Sequence, residues 1–389
     1  MKRNLNLDVL RGVAILLVIG AHQHIDNYIG VSGWMARVWH DHGIVGVPLF
    51  FALSGYLIGG LILDEIRIHG TFDVMRFLVR RGFKLYPAYF VFIGYLVVMP
   101  SAKVLLAGGD PMVTVVSKFQ EFMPNLFFLQ NYVGSNPAAH TWSLAVEEHF
   151  YLTLPLLVLW LHRTGRIRWL MTIGLLSPAI FTLVRYLCWK LGDPYVENMT
   201  ATHLRLDGLA LGVGLRAMKE YSPMIFSRLH LGRWLWLVLG VKLLLMRSSV
   251  LPATACGSAL ILLGMINLSI RDFGIVGRWG YPMMQLLGWV GLHSYSIYLW
   301  HVTAMGIVSG KLLSHLQLDT SQTAPWFLHR TLLCISIVLF GWAMARLVEW
   351  PALRIRDRWF PSQSLLARRR SFALTGTAEN FSKEVGKNP

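Results

Sequence analysis

The chain has 389 residues, of which 54% are apolar and only 14% are charged. Soluble globular proteins carry about 25% charged residues, so this composition excludes a soluble protein and indicates an integral membrane protein. The formal net charge of +16 does not indicate nucleic-acid binding, because the basic residues cluster in short stretches between apolar segments. The cysteines (Cys188, Cys256 and Cys334) lie in apolar runs without a CxxC spacing, so neither a disulfide framework nor a zinc knuckle is predicted.

Apolar segments recur along the chain with the composition of membrane-spanning helices, which need about 20 mostly apolar residues. The predicted spans are Val9–Gln23, Ile44–Leu63, Leu85–Met99, Leu144–Leu161, Trp169–Leu187, Leu204–Leu215, Trp234–Met246, Val250–Leu268, Met283–Val308 and Phe327–Val348. The predicted fold is therefore all-α, a polytopic integral membrane bundle of about ten transmembrane helices. The first segment lacks a small-residue cleavage site, so we interpret it as a retained span rather than a signal peptide.

The positive charges predict the orientation of these spans. Most of the 36 Lys and Arg residues fall on one set of alternate loops, which the positive-inside rule places in the cytoplasm. Both termini are then cytoplasmic. The long loop Pro100–Thr141 lies outside, and we expect an interfacial helix over Phe119–Leu129. The end of the chain, residues 351–389, reads as a basic, polar, disordered cytoplasmic tail.

The first span carries two ionisable residues, which are costly inside a membrane and therefore indicate function. Arg11 and His22 are eleven residues apart, about three helical turns, so both lie on one helix face. This face presents a cation near the cytoplasm and an imidazole toward the outer side. The alternative is an Arg that reaches the interface and an interfacial His.

The second span is rich in glycine and serine and contains Pro48. The Gly55-xxx-Gly59 spacing allows close helix contact. The small residues also allow a broken helix whose backbone N–H groups face a ligand. Both interpretations remain open from the sequence.

A basic run precedes the third span. Arg81 and Lys84 share a face if the run is helical, and Arg80 adds a third cation. Such a cluster at the inner mouth suits a phosphorylated ligand. The alternative is a signal that only fixes the orientation of the chain.

The fourth span opens with carboxylates inside an apolar segment. Ser143, Glu147 and Tyr151 form one stripe at i, i+4 and i+8. Glu147 or Glu148 could hold an imidazole in its required tautomer, as a carboxylate does in a catalytic triad. The alternative is a solvated pair at the interface.

Weaker signals occur further along the chain. Arg205 and Asp207 make the start of the sixth span polar, where they could bind a polar acceptor or pair with each other. His301, in the ninth span, is predicted to be a buried, hydrogen-bonded structural residue.

Two HxH pairs, His22/His24 and His40/His42, could suggest a metal site. Residues i and i+2 do not share a helix face, and an HExxH motif is absent from the sequence. No metal site is predicted.

Six stretches together resemble the membrane-bound acyltransferase family 3, which includes bacterial O-acetylases of lipopolysaccharide, exopolysaccharide and peptidoglycan. They are residues 7–22, 46–58, 80–87, 141–152, 205–209 and 294–301, in the family's order. The resemblance implies one transmembrane acyltransferase domain over residues 1–350.

The resemblance also implies residue roles. The family's Arg or Lys, ten residues and then a His match Arg11 and His22, and it implies that His22 is the catalytic base. The family's basic pair for handling the acyl-CoA donor falls on Arg81 and Lys84, and we expect Arg11 and Arg80 to contribute to donor binding as well. Lys84 stands where Arg is commoner and lacks the guanidinium fork. Pro48 stands where Asp is frequent, and His149 where Gln is frequent.

We therefore expect an O-acyltransferase of the bacterial cytoplasmic membrane. It would move an acyl group, by family default acetyl, from cytoplasmic acyl-CoA as co-substrate to a hydroxyl of an extracytoplasmic carbohydrate, such as a surface polysaccharide or lipid-linked glycan. No bound cofactor and no nucleic-acid partner are expected. The predicted acceptor contacts are Ser143, Tyr151, Arg205 and Asp207.

In this hypothesis His22, oriented by Glu147 or Glu148, removes the proton of the acceptor hydroxyl. A neutral imidazole is required, so activity should fall at acid pH. Two alternatives stay open. One is a proton- or solute-coupled transporter with Arg11, His22 and Glu147 as a relay, and the other is a structural subunit of a polysaccharide export complex.

Overall fold

The structure is a computed structural model that describes residues 4–23, 30–133, 138–246, 251–266, 268, 274–309 and 323–361. Most of these residues are helical and none lies in a strand, which confirms the all-α prediction. His24 and residues 362–389 of the predicted tail lie outside the described part of the chain. The stretch before them is helical to Trp359.

The α-helices in chain order are α1 (Leu5–Ala21), α2 (Gly30–Gly43), α3 (Gly46–His69), α4 (Val74–Leu106), α5 (Pro111–Glu121), α6 (Met123–Leu126), α7 (Trp142–Arg163), α8 (Trp169–Lys190), α9 (Asp207–Tyr221), α10 (Pro223–Leu229), α11 (Arg233–Leu245), α12 (Leu251–Ile266), α13 (Gly274–Leu292), α14 (Ser294–Ile307), α15 (Thr323–Met344) and α16 (Trp350–Trp359). A π-helical turn, Ala345–Glu349, joins α15 to α16. Short 3₁₀ turns cover Gln130–Tyr132, Ala139–Thr141, Pro194–Val196, Thr202–Leu204 and His230–Gly232.

Five helical segments of the described chain are long and apolar enough to cross a membrane. They are Gly33–His69, Val74–Leu106, Ala139–Arg163, Trp169–Lys190 and Thr323–Trp359. The other predicted spans fall on helices that are shorter or less apolar. The protein is thus an integral membrane helical bundle.

The ninth predicted span differs from the prediction, because the structure divides it into α13 and α14. The break lies at His293, which has φ −99° and ψ 7°. Its ring Nδ1 bonds the Trp289 carbonyl oxygen at 2.9 Å. The apolar run in the sequence gives no signal of this break. The prediction of a single helix over Met283–Val308 was therefore wrong.

The predicted interfacial helix also begins earlier than expected. Asp110 accepts a hydrogen bond from the Met112 backbone N–H at 2.8 Å, and Pro111 occupies the first turn, so these residues start α5. The helix ends at Glu121, and no described helix covers Phe119–Leu129 as a whole. Helix α2, between α1 and α3, was not predicted.

Glycines bring the central helices into backbone contact. A Cβ at Gly55 of α3 would lie 1.9 Å from the Leu209 carbonyl oxygen of α9, and one at Gly212 of α9 would lie 2.1 Å from the Ala52 oxygen. Gly59 also faces α9, at Val213. Helix α3 is continuous through these glycines. The packing interpretation of the glycine spacing is therefore confirmed, and the broken-helix alternative is wrong.

Ion pairs tie the helices together at the predicted cytoplasmic end. Arg216 of α9 donates to Asp64 of α3 at 2.6 Å and to Glu220 at 3.0 Å. The side chains of Arg76 and Arg80, in α4, donate to the backbone oxygens of Pro361 and Phe360, just after α16. These contacts hold α16 against the first turns of α4.

Candidate active site

A polar cavity of about 140 Å³ lies inside the bundle between α1, α3, α4, α7 and the junction of α13 and α14. This is room for several water molecules or a small polar group. Its polar lining residues are Arg11, Ser54, Arg81, Lys84, Ser143, Glu147, Ser294, Tyr295 and Tyr298. The structure thus brings together Arg11 of the first predicted span, Arg81 and Lys84 of the basic run before the third, and Glu147 of the fourth.

Glu147 of α7 joins three helices at this cavity. Its Oε1 accepts a hydrogen bond from the Ser54 hydroxyl at 2.9 Å, and its Oε2 accepts one from the Tyr151 hydroxyl at 2.7 Å. The Arg81 guanidinium lies 3.9 Å from Oε2 and 4.1 Å from the centre of the Tyr151 ring. The predicted stripe on α7 therefore places Glu147 and Tyr151 side by side.

Lys84 is paired with Glu349, which the sequence analysis did not single out. The two side chains are 3.2 Å apart, and the Ser296 hydroxyl donates to the other oxygen of Glu349 at 2.8 Å. Glu349 is the last residue of the π-helical turn and is buried. A carboxylate directly after the last predicted span, which ends at Val348, was the available signal.

Each cation of the cavity thus has an acidic neighbour. Arg11 donates to Asp8, one turn before it in α1, at 3.0 Å. Together with the contacts of Arg81 and Lys84, this makes the charge of the cavity wall close to balanced.

Glu148 and Arg80 lie outside the cavity lining. The Tyr86 hydroxyl donates to Glu148 Oε1, whereas Oε2 is buried without a partner in the described structure. Arg80 faces Asp357 and the end of α16. Their assigned roles in catalysis and donor binding stay predictions.

Three imidazoles meet beyond the cavity. The ring centre of His22, at the end of α1, lies 4.8 Å from the ring centre of His301 and 6.3 Å from that of His140. The ring centres of His140 and His301 are 5.1 Å apart. His140 and His301 are buried. The sequence analysis did not select His140, although it directly precedes the Thr141–Ser143 motif. His301 is buried and bonded as predicted.

Tyr298 of α14 connects the cavity to this histidine cluster. It lines the cavity, and its ring lies 5.6 Å from that of His301. Its hydroxyl donates to the His140 carbonyl oxygen at 2.5 Å and lies 2.5 Å from the Ser143 hydroxyl. Ser143, a predicted acceptor contact, therefore lies between the cavity and the histidine cluster.

A backbone carbonyl, not a carboxylate, orients His22 in the structure. Its Nδ1 bonds the Val18 oxygen at 3.0 Å, which leaves Nε2 as the nitrogen with a lone pair in the neutral ring. Glu147 and Glu148 have the other partners described above. The expected orientation of His22 by either carboxylate is therefore corrected.

Asp207 begins α9, and Arg205 lies two residues before it. No hydrogen bond or ion pair joins the two side chains, although the negative charge of Asp207 acts on Arg205 electrostatically. Asp207 accepts a hydrogen bond from Arg185 at 3.0 Å, whereas Arg205 lies over the Trp142 ring at 4.9 Å. Both are buried.

The two departures from the family pattern also have places in the structure. Pro48 is buried in the first turn of α3, where its missing N–H is tolerated. His149 bonds the Thr202 hydroxyl at 2.7 Å, which joins α7 to the turn before α9.

One group of possible metal ligands appears in the described chain. Atoms of Cys188, Asp193 and His203 lie within 4.8 Å of one another. His203 Nε2 donates to Asp193 at 2.9 Å, and the Tyr195 backbone N–H, also at 2.9 Å, lowers the pKa of that carboxyl. Hydrogen bonds thus account for the group, and the expectation of no metal stays a prediction.

Ionisable side chains around a cavity inside a membrane bundle, next to buried imidazoles, mark a functional site within the bilayer. The sequence model of the acyltransferase domain that defines acyltransferase family 3 matches residues 4–346 of the chain. The protein therefore belongs to this acyltransferase family.

Curated relatives show the same relationship. In an alignment of 320 positions the chain is 26% identical to the peptidoglycan O-acetyltransferase OatA of Listeria monocytogenes, and the alignment covers 76% of this chain and 48% of the relative. It is 27% identical over 318 residues to YrhL of Bacillus subtilis, provisionally named a peptidoglycan O-acetyltransferase, with 76% and 47% covered. The chain spans about half the length of these relatives. No solved structure matches it.

Proposed function

We propose that the protein transfers an acyl group, acetyl by preference, from cytoplasmic acyl-CoA to a hydroxyl of an extracytoplasmic carbohydrate. Membership of the acyltransferase family and the O-acetyltransferase names of the relatives support the reaction class. Family membership also favours this reaction over the transporter and the structural subunit, which need no acyl donor.

The observation that carries the proposal is the arrangement of the cavity and the histidine cluster on either side of Tyr298. An acyl-transfer site needs a place for the thioester and, next to it, a base for the attacking hydroxyl. The cavity supplies the first and the cluster supplies the second. Tyr298 and Ser143 stand where the two meet.

The charge balance of the cavity suggests which part of the donor it holds. Arg11, Arg81 and Lys84 each already face a carboxylate. A phosphate would have to compete with these carboxylates, whereas an uncharged thioester would not. We therefore place the acyl thioester in the cavity and the phosphates of the donor toward the cytoplasm.

The imidazoles can accept the proton that leaves the acceptor hydroxyl. His22 Nε2 and His301 Nε2 both present lone pairs, because the Nδ1 atoms bond the carbonyls of Val18 and Tyr298. His301 Nε2 is buried without a partner in the described structure. We assign His22 as the base, which accepts a hydrogen bond at Nε2 from the acceptor hydroxyl. As its oxygen bonds to the acyl carbon, His22 takes the proton, the carbon–sulfur bond breaks, and the proton ends on the thiol of CoA.

The test compares the surface glycans of cells that carry the native chain, His22→Ala or no copy. Expression is matched by immunoblot, and mass spectrometry measures O-acyl increments. We expect the increment only with the native chain, and [¹⁴C]acetyl-CoA given to inverted vesicles should label the same glycan. An increment that persists with His22→Ala would refute the role of His22. Surface glycans without an O-acyl increment in any of the three strains would refute the carbohydrate acceptor.

A further inference from the structure

Arg205 is a buried cation that no described carboxylate contacts directly. Its residue exposure is 9%, and its side chain forms neither a hydrogen bond nor an ion pair with any described residue. Its recorded contact is the face of Trp142, 4.9 Å from the guanidinium carbon. Burying an ionised group is costly unless it is paired, and one aromatic face replaces only part of the lost hydration.

The carboxylate of Asp207 acts on Arg205 only through space and is shared with a second arginine, Arg185, so the three side chains keep a net positive charge. Asp207 Oδ2 accepts a hydrogen bond from Arg185 at 3.0 Å, and Oδ1 accepts one from the Gly208 backbone N–H at 3.0 Å. Arg185 also donates to the Leu204 oxygen at 2.8 Å. The Arg185–Asp207 pair is therefore complete, and one positive charge remains on Arg205.

The position of Arg205 connects it to the candidate active site. The Trp142 ring beneath it packs at 6.1 Å against Phe51, which lines the cavity. Trp142 begins α7 and directly precedes Ser143. This is the end of the bundle that carries His22 and His140, the predicted outer side.

We infer that Arg205 binds an anionic group, a carboxylate or a phosphate, on the acceptor, so that the acceptor is an acidic glycan. A guanidinium offers a planar fork of donors that fits either anion. The inference rests on the proposed function, because it names the class of that acceptor.

The test is equilibrium binding, which is independent of turnover. Full-length protein with His22→Ala, in phosphatidylcholine nanodiscs, is titrated with a glucuronic-acid-containing tetrasaccharide and its carboxyl-reduced counterpart. A third arm uses the reduced tetrasaccharide carrying one phosphate. We expect the Kd of at least one anionic saccharide to be about tenfold or more below that of the neutral one. Arg205→Gln should abolish this preference, and Arg205→Lys should retain part of it.

Equal Kd values for all three saccharides, or a preference that survives Arg205→Gln, would overturn the inference. A preference that disappears when the nanodiscs contain phosphatidylglycerol would also overturn the inference, because the site would then hold a lipid headgroup. Melting temperatures of the variants, measured in parallel, show that each remains folded. Selective binding without acyl transfer by the native chain would refute the proposed function and leave the anion site standing.

Discussion

At the scale of single residues, Glu147 determines how the cavity is organised. One carboxylate receives hydrogen bonds from α3 and from its own helix, and it faces the guanidinium of Arg81. Within the bilayer, where polar groups lack water, such a residue fixes the position of its partners.

Replacing Glu147 by Gln keeps the size of the side chain but removes the anion that faces Arg81. We expect acyl transfer to fall by a factor of about 10–100, as a misplaced catalytic group does, in a vesicle assay with labelled acetyl-CoA. Glu220→Gln is the matched control, because Glu220 pairs with arginines at the far end of the bundle. Full activity in Glu147→Gln would show that the carboxylate is not needed.

The sequence predicted a structural role for His301, whereas the structure places its ring next to that of His22. His301→Phe keeps a ring but removes the lone pair next to His22. Since positioned proton transfer typically contributes about 10²–10⁴-fold, we expect turnover to fall at least tenfold. His162→Phe, at the predicted cytoplasmic end, where His162 bonds the Gly70 oxygen, should keep near-native turnover. If both variants behave alike, His301 has only the structural role that its sequence context predicted.

At the scale of elements, interruptions of regular helix place polar groups at the site. The break at His293 starts α14 at the cavity, where Ser294 and Tyr298 line it. The π-helical turn brings Glu349 to Lys84. π-turns within α-helices are frequent at functional sites, and here the turn supplies a charge partner.

The contact of α3 with α9 should depend on the absence of a side chain at Gly55. Gly55→Ala would place a methyl group 1.9 Å from the Leu209 oxygen, so we expect a loss of about 1–3 kcal/mol and a lower melting temperature in detergent. Gly94→Ala is the control, because a Cβ at Gly94 in α4 meets nothing within 4 Å. Equal melting temperatures would contradict the close packing of α3 and α9.

At the scale of the whole molecule, α16 closes the predicted cytoplasmic end. Arg76 and Arg80 bind the backbone just beyond it, and Arg80 also faces Asp357. These contacts hold the described chain against the bundle up to Pro361. The predicted domain boundary at residue 350 stays a prediction.

Two truncations test this boundary. A stop after Pro361 keeps both arginine contacts, so we expect a melting temperature within about two degrees of the native value. A stop after Glu349 removes α16 and should lower it by several degrees, since about 1 kcal/mol corresponds to a few degrees for a protein of this size. Thermal size-exclusion profiles of the detergent-solubilised protein provide the measurement. Identical profiles for the two truncations would show that α16 contributes nothing to stability.

The sequence by itself determined the class of the protein, because class depends on local properties. Apolar composition, helical periodicity and the order of short motifs indicated an all-α membrane bundle, and they selected Arg11, Arg81, Lys84 and Glu147, which share one cavity. Each helix face could be derived from its own residue spacing.

Only the tertiary structure decided which faces meet. Glu349 reaches Lys84 across 265 residues, and His301 comes next to His22 from another helix. The Val18 carbonyl in place of a carboxylate, the break at His293 and the unpaired charge of Arg205 likewise depend on neighbours distant in sequence. The physical reason is that periodicity gives the direction of a side chain from its own helix axis, whereas its partner depends on the rotation and depth at which other helices pack.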